Sequence, residues 1–566
     1  MPDVPADLSP SPTADQAAET AGAAPATPDS ADADAPTDPL ATDPGGDAPA
    51  TADAAANADG GGERERERLQ RRDTVVAAGV GVGVLGVYLW TLLPGVGYSG
   101  DTAKWQFLGK VGGIPHATGY PLYLALNRVW VWAIPGGNLA WKVNLLSAVC
   151  GAAAVAVLYL VLRLVDVGRP VAVATAATFA FTGTFWSQAV VAEVYTLHIL
   201  FLATVTACLV VWRRGGSNRW LLAAMGVYAL SFGHHLTTGL ALPGIVWLVW
   251  SQRHRAVTLR NAAFVAAAIA LSAAQYLYLL RLSRTGPYHE ATIDDLSDIV
   301  DYVTGGSFRD SMFNYSWYGL LVARVPLLFR FLREEYLVLL VPAGVGVWRG
   351  LKAGSELRDI SIYLASLAVC TAFYVMNFDV PDVIVFCLPM FLALAVFLGL
   401  GLDTWVTWAR QHWPDNARVS PAIGIGAALG ATVLVVGAVD YNQASQRGET
   451  EDAERTEHLI AAAGHDAVLL TDDYHDSEFA WYYLLGEGEG KRRNLALANM
   501  VTPSHLRQYF TTRRGPVAAA AKRVKGTSSP PLYTASARQA VQAVAKGFTI
   551  TEVAPEVWRI GPAQPR

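Results

Sequence analysis

Of the 566 residues, 52% are hydrophobic and only 16% are charged, with 17 Trp and a mean hydropathy of +0.28. Such a balance excludes a soluble enzyme and fits a chain that crosses a bilayer many times. The net charge of −5 offers no basic face to a nucleic acid, and the 4 Cys all lie inside apolar runs, which excludes a disulfide framework.

Residues 1–62 hold 12 acids and no Lys or Arg in an Ala, Pro, Thr and Gly background. Too poor in apolar residues to offset its ordering entropy, this stretch reads as a disordered cytoplasmic tail. It lacks the basic start and early apolar core of a signal peptide. The run ERERERLQRR (63–72) leads into the first apolar segment, 74–94. Further segments able to cross about 30 Å of hydrocarbon, alone or as shorter tilted helices, follow. They lie at about 141–163, 171–189, 194–212, 219–233, 236–251, 261–280, 335–349, 359–376, 383–401 and 420–439. The segment 119–135 is short, Pro-bounded and Trp-rich, which predicts an interfacial helix carried by a loop.

A cytoplasmic N-terminus puts Arg163/Arg169, Arg213/Arg214/Arg219, Arg253/Arg255/Arg260, Arg349/Lys352/Arg358 and Arg410/Arg418 on the inner side. Every inner loop is then basic and the short outer turns are not. About eleven transmembrane helices result. The expected architecture is a polytopic α-helical membrane protein of the inner (plasma) membrane. It has the tail 1–62, a membrane module 63–440 with its first outer loop at 95–140, and an extracytoplasmic domain 441–566. In that last piece DAVLLTDD, SEFAWYYLLGEG, NLALANMV, SHLRQYF, PPLYTAS and ARQAVQAVAKGF alternate strand and helix, which predicts an α/β domain. Thr502-Pro503 supplies a helix cap and first turn.

The polar chemistry gathers at one face. Asp101, His116, Glu193, His234, His235, Arg281, Arg284, Asp379 and Asp382 all fall in outer loops or at outer ends of spans, while the span interiors are nearly free of charge. Transporters hold ionisable groups near the midplane, at roughly 2.5–3.5 kcal/mol each. Their gathering at one face points instead to a surface reaction site. A lipid-linked glycan flippase, a non-catalytic assembly protein and a glycan ligase are the competing readings.

Each residue has a plainer role as well. Asp101 suits the N-cap of an amphipathic helix TAKWQFLGK, with Trp105, Leu108 and Val111 dipping into the interface and Lys104 and Gln106 facing water. Glu193 stands in a short turn ahead of Tyr195 and His198. His234 and His235 are adjacent with no Cys or third His nearby, which favours hydrogen bonding to a polar or anionic ligand over metal. Asp379 and Asp382 flank an Asp-Pro type turn. Arg281 and Arg284 suit snorkelling to headgroups or meeting an anionic group. Asp472, Asp473, His475 and Asp476 read as a solvated strand-to-helix loop.

YSGDTAKWQFLGKVGGIPHATGYPLY (98–123) resembles the first outer loop of a membrane family whose pattern runs Gly-Asp, amphipathic helix, His-x-x-Gly-Tyr-Pro-Leu. That family holds the animal transmembrane O-mannosyltransferases and many bacterial relatives. AEVYTL, HHLT, YLYLLRLSR, FDVPDVIVFCLP and AVLLTDDYHDSEFAWYYL follow in the same order, over about 74–510. The resemblance implies the GT-C glycosyltransferase architecture and transfer of a sugar from a polyprenyl-phosphate carrier to a protein or glycan acceptor. It implies no metal and no cofactor. Asp101 matches the catalytic base. His116, Tyr120, Glu193, Tyr195, His234, His235, Arg281, Arg284, Asp379 and Asp382 fall on or beside the matching motifs as substrate-binding candidates. The chain departs from the pattern at Lys104, where an acid is common, at Ala117-Thr118 in place of Pro-Pro, and at His234 in place of Asn. Deletion of residues 1–62 is expected to leave activity intact, read by transfer assay on a truncated chain that still inserts.

Overall fold

Long Ala-, Val- and Leu-rich runs leave a chain in lipid few ways to satisfy its backbone, and here they coil into helices. The computed structural model describes residues 51–97, 101–414, 417 and 419–563. The expected disordered tail lies outside them up to residue 50, and helix α1 (Thr51–Thr91) begins in the remainder of that segment.

Among the described residues 7 helices are long and apolar enough to cross a membrane: Arg71–Thr91, Leu139–Leu164, Tyr195–Arg213, Leu259–Thr285, Ser355–Met376, Val383–Gln411 and Pro421–Ala444. The other predicted runs are shorter helices, so eleven full-length spans are not seen. The run 171–189 breaks at Thr182 into Arg169–Ala180 and Gly183–Ala189, because Thr182 takes an extended conformation. The run 335–349 is interrupted at Leu337, whose φ of 36° no α-helix accommodates, and resumes as Leu340–Lys352. The runs 219–233 and 236–251 become Asn218–Ser231 and the short apolar helix Leu236–Ser251.

Packing ranks the spans. In the most apolar 18-residue stretch of Val383–Gln411, 83% of the residues are buried within the protein, and this span forms the centre; the corresponding share is 11% in Leu259–Thr285 and in Pro421–Ala444, which stand at the margin. Leu340–Lys352 lies directly against the central span through glycine. A Cβ at Gly346 would strike the carbonyl oxygen of Phe397, and one at Gly401 that of Pro342. Small residues allow this backbone contact where no hydrophobic drive separates protein from lipid.

Between the first two spans the chain forms α2 (Thr102–Val111), β1 (Gly113–Ile114), α3 (Pro121–Ala133) and then α4 (Leu139–Leu164), capped by Asn138, which accepts from the Trp141 amide at 2.7 Å. The expected interfacial helix is thus α3. The expectation that α2 floats with Lys104 and Gln106 in water is wrong: both are 0% exposed. Helix α2 is enclosed by α3, α4 and the C-terminal domain. Several of its polar groups find partners inside: Gln106 donates to Asn144 Oδ1 at 2.9 Å, and Asn127 donates to the Trp105 carbonyl at 2.8 Å. β2 (Tyr288–His289) pairs in parallel with β1. The Glu290 amide then donates to the Ile114 carbonyl at 2.9 Å, which brings Glu290 to α2.

The C-terminal domain carries β3 (Val468–Leu470), β4 (Ala496–Ala498), β5 (Leu532–Thr534), β6 (Phe548–Ala554) and β7 (Val557–Ala563) in the order β4-β3-β5-β7-β6. β3 runs parallel to β4 and β5, and β7 antiparallel to β5 and β6. The helix Pro503–Thr512 starts at Thr502 as predicted. Tyr482 and the Gly486 carbonyl tie the domain to the membrane module, the first accepting from the Ala140 amide at 3.2 Å and the second from Lys110 at 2.7 Å.

Replacing Gly401 by Val should force the two glycine-paired helices apart and cost about 2 kcal/mol, within the overpacking range. Gly79→Ala, where an added Cβ meets nothing within 4 Å, should leave thermal unfolding in detergent unchanged.

Candidate active site

Asp101 stands at the N-cap position of α2, yet its side chain does not cap the helix. Its carboxylate turns to a buried cation one helical turn on. Lys104 Nζ lies 2.7 Å from Asp101 Oδ1, 2.8 Å from Glu290 Oε1, 2.7 Å from the Tyr474 hydroxyl and 2.9 Å from His116 Nδ1. An ammonium has three protons, so four acceptors share them. Tyr474 donates in turn to Asp101 Oδ1 at 3.0 Å. Because His116 Nδ1 accepts from Lys104, its proton sits on Nε2, which donates to the Tyr120 hydroxyl at 3.1 Å. Tyr288 extends the cluster, reaching Glu290 at 2.8 Å and Glu478 at 2.7 Å.

Charge follows from this geometry. Burial pushes the Asp101 carboxyl up, but Lys104, His116 and the hydrogen bonds from Lys104 and Tyr474 outweigh it and hold the group well below the usual carboxylate range. Burial opposes the Lys104 cation, yet Asp101 and Glu290 hold its pKa above the ordinary value. Burial, and then Lys104, lower His116, which is therefore neutral at pH 7. Glu193 is raised by burial and by the charges of Asp101 and Asp382; the Thr102 hydroxyl donates to it at 3.4 Å.

Asp101 and His116 line a cavity of about 950 Å³. Tyr195, His235 and Asp382 also line it, and much of the remaining wall is apolar, with Leu236, Leu240, Phe308, Met312 and Phe386. His235 Nδ1 lies 2.7 Å from the Thr237 hydroxyl and 3.3 Å from the Thr237 amide, and its buried Nε2 has no hydrogen-bond partner. His234 stands behind it, bonded to the Val194 carbonyl at 2.8 Å, and the His235 ring packs 5.7 Å from Tyr120 and 5.8 Å from Tyr195.

Three sequence candidates stand apart from this cluster. Asp379 pairs with Arg324 at 3.6 Å and does not line the cavity. Arg281 lines a different, smaller cavity beside Arg128, and Arg284 is exposed on the same helix. A run of arginines at the end of a span marks a helix terminus, and here that helix turns its guanidinium groups away from Asp101. The lysine or arginine that does line the main cavity is Arg309, which also bonds Asp301 at 2.9 Å. Sequence reasoning missed Glu290, Tyr474 and Glu478, and set Lys104 in water. Lys104 had one legible signal, its i,i+3 spacing from Asp101.

The remaining acids of the C-terminal loop each have a protein partner. Asp473 accepts from the His475 amide at 2.8 Å, Asp476 pairs with Arg455 at 2.7 Å and Asp472 with Arg538 at 2.8 Å. Among the described residues no group of three or more His, Cys, Asp or Glu is placed to hold a metal.

Residues 109–258 match the model of the protein O-mannosyl-transferase TMEM260 N-terminal domain. The match covers His116, Tyr120, Glu193, Tyr195, His234 and His235 and begins after Asp101. The protein O-mannosyl-transferase TMEM260 of Mus musculus is 28% identical over 151 residues, which is 26% of this chain and 21% of that protein. The Dictyostelium discoideum protein of the same name is 28% identical over 119 residues, 21% of this chain and 14% of that one. The chain thus spans about a fifth or less of the length of these relatives. Among solved structures, ArnT from Cupriavidus metallidurans bound to undecaprenyl phosphate superposes with a TM-score of 0.57 at 12% identity, covering 87% of this chain and 99% of that one. The apo form of that protein gives 0.56. The fold is therefore ArnT-like, as the GT-C expectation required, and the chain is a multi-pass membrane protein.

Removing the buried cation should leave two carboxylates unpaired. Lys104→Met is expected to lose about 3 kcal/mol of stability, and Asp101→Asn/Lys104→Met to recover at least about 1 kcal/mol of it through the coupling of contacting residues. Thermal unfolding of the single and double variants measures both.

Proposed function

We propose that the protein moves a single sugar, mannose or another hexose, from a polyprenyl-phosphate carrier to an acceptor hydroxyl on the outer face of the plasma membrane. The observation that carries this reading is a largely apolar cavity of about 950 Å³ lined in part by an ionised carboxylate. A hydrocarbon carrier suits the apolar wall, and the sugar at its head meets the carboxylate. The ArnT-like fold supports the class of reaction, since ArnT has been solved with undecaprenyl phosphate bound.

The chemistry runs as one displacement. The acceptor oxygen bonds to the anomeric carbon, the bond from that carbon to the phosphate oxygen breaks, and polyprenyl phosphate leaves with the electron pair. Attack opposite the leaving group inverts the anomeric centre. Asp101 takes the acceptor proton. Held ionised by Lys104, it is always available but weakly basic. It therefore accepts the proton late, once the hydroxyl oxygen has begun to bond to carbon and has become acidic. The developing phosphate charge is met by His235 Nε2 and Arg309. Those two take the part that Arg281 and Arg284 were expected to play.

Asp101→Asn should lower transfer from a synthetic polyprenyl-phosphate sugar by about a hundredfold or more in reconstituted membranes, in line with general-base effects of roughly 10²–10⁴. Because the Asp101 pKa is depressed, its ionised form persists at every pH above the usual carboxylate value of about 3.9. Wild-type activity should therefore show no acid limb from this group between pH 5 and 8. Equal turnover in wild type and Asp101→Asn would remove Asp101 as the base.

A further inference from the structure

The partners of Asp101 have a second face. Tyr474 and Glu290 both line a separate cavity of about 570 Å³ between the C-terminal domain and the 287–290 loop. Asp101 and His116 line the larger apolar one. Lys104, Tyr474 and Glu290 are thus the partition between two cavities, with the Tyr474 hydroxyl 3.0 Å from Asp101 Oδ1 on one side of it.

The walls of the two cavities differ in kind. The smaller is lined by Glu290, Glu478, Tyr288, Tyr474, Asn499 and Trp481, with His289 and Arg523. Glu478 is 3% exposed; its Oε1 accepts from Tyr288 at 2.7 Å while Oε2 has no hydrogen-bond partner. A buried carboxyl oxygen without a partner is costly. The volume lies within the range of small-molecule sites, about 300–1,000 Å³.

We propose that this smaller cavity is a carbohydrate-binding site that takes one or two hexose rings by their hydroxyl groups and holds the acceptor. Sugar hydroxyls are both donors and acceptors, which is what paired carboxyls, phenols and an amide can serve together. Burial pushes the Glu478 carboxyl up to about 7 against the pull of Lys104, so near neutrality it both donates and accepts. Trp481 supplies an apolar surface for the C–H face of a ring. An extended peptide is the other polar acceptor, and β4 is the open edge of the sheet beside the cavity. β4 is only three residues long, with Ala496 and Ala498 bonded to the β3 side, which leaves Leu497 alone for an added strand. One residue does not hold a peptide by strand addition. That the bound sugar is the acceptor rests on the transfer reaction proposed above; that the cavity takes a sugar does not.

The test uses the purified full-length chain without donor, probed by saturation-transfer NMR with methyl α-mannoside, methyl α-glucoside, methyl α-galactoside and a Ser/Thr-rich peptide. At least one glycoside should bind wild type. It should bind at least tenfold more weakly to Asn499→Trp, which fills the cavity from an exposed position, and to Glu478→Gln. If no glycoside binds, or if Asn499→Trp leaves binding intact, the site is overturned. Binding of the peptide alone, lost in Asn499→Trp, overturns the ligand class. Glycoside binding in a protein that transfers nothing leaves this site standing and sinks the transferase reading; transfer unaffected by Asn499→Trp does the reverse.

Discussion

A lysine ammonium with no exposure to solvent sets the terms for everything around it. Withdrawing such an ion from water costs several kcal/mol, and attraction repays that cost only where partners converge with good geometry. Lys104 meets this condition by drawing Asp101 from its own helix, His116 from the following loop, Glu290 from beyond the peripheral span and Tyr474 from the C-terminal domain, all within 3 Å. Segments far apart in the chain are held to one point because each supplies an acceptor to the same cation. The carboxylate so fixed is ionised at neutral pH, and the imidazole beside it is neutral with a defined tautomer.

The membrane module supplies the frame. Its central span is almost wholly enclosed, and glycine contact with Leu340–Lys352 lets two backbones touch. Against this close packing the larger cavity opens beside loops rather than through the helices. Its lining comes from Asp101, from parts of 116–118, 235–240 and 303–313, and from Phe378, Val380, Pro381, Asp382 and Phe386, together with Tyr195 and Tyr374. An apolar enclosure that includes a charge, and a polar enclosure behind that charge, share a single partition.

Much of this was legible in the sequence, and the limits have physical causes. Apolar runs and the placement of polar residues at one face anticipated the helical membrane module, and alternating short strands and helices anticipated the C-terminal domain. Asp101, His116, Tyr120, Glu193, Tyr195, His234, His235 and Asp382 do converge. Span number was overstated because hydropathy does not see a backbone break such as Thr182 or Leu337. Lys104 was misplaced because helical periodicity describes one face against one environment. It is blind to a second domain, which arrives from the far end of the chain and covers what would be the wet side. Arg281 and Arg284 were attractive as cations near an expected phosphate, but charge in a sequence carries no direction. Glu290 and Tyr288 had no motif of their own; the parallel pairing of β1 and β2 alone delivers them.

The sharing of Tyr474 between Asp101 and Lys104 also imposes an order in time. The hydroxyl is separated from Lys104 by 370 positions of chain, so the ribosome makes Asp101 and Lys104 long before the group that completes their hydrogen bonding. While the later spans are being inserted, the acid and the lysine stand at the mouth of the first ones with neither Glu290 nor Tyr474 in place. The centre becomes whole only when the C-terminal domain has folded against α2. A chain cut short during synthesis would carry every span and still lack the assembled cluster.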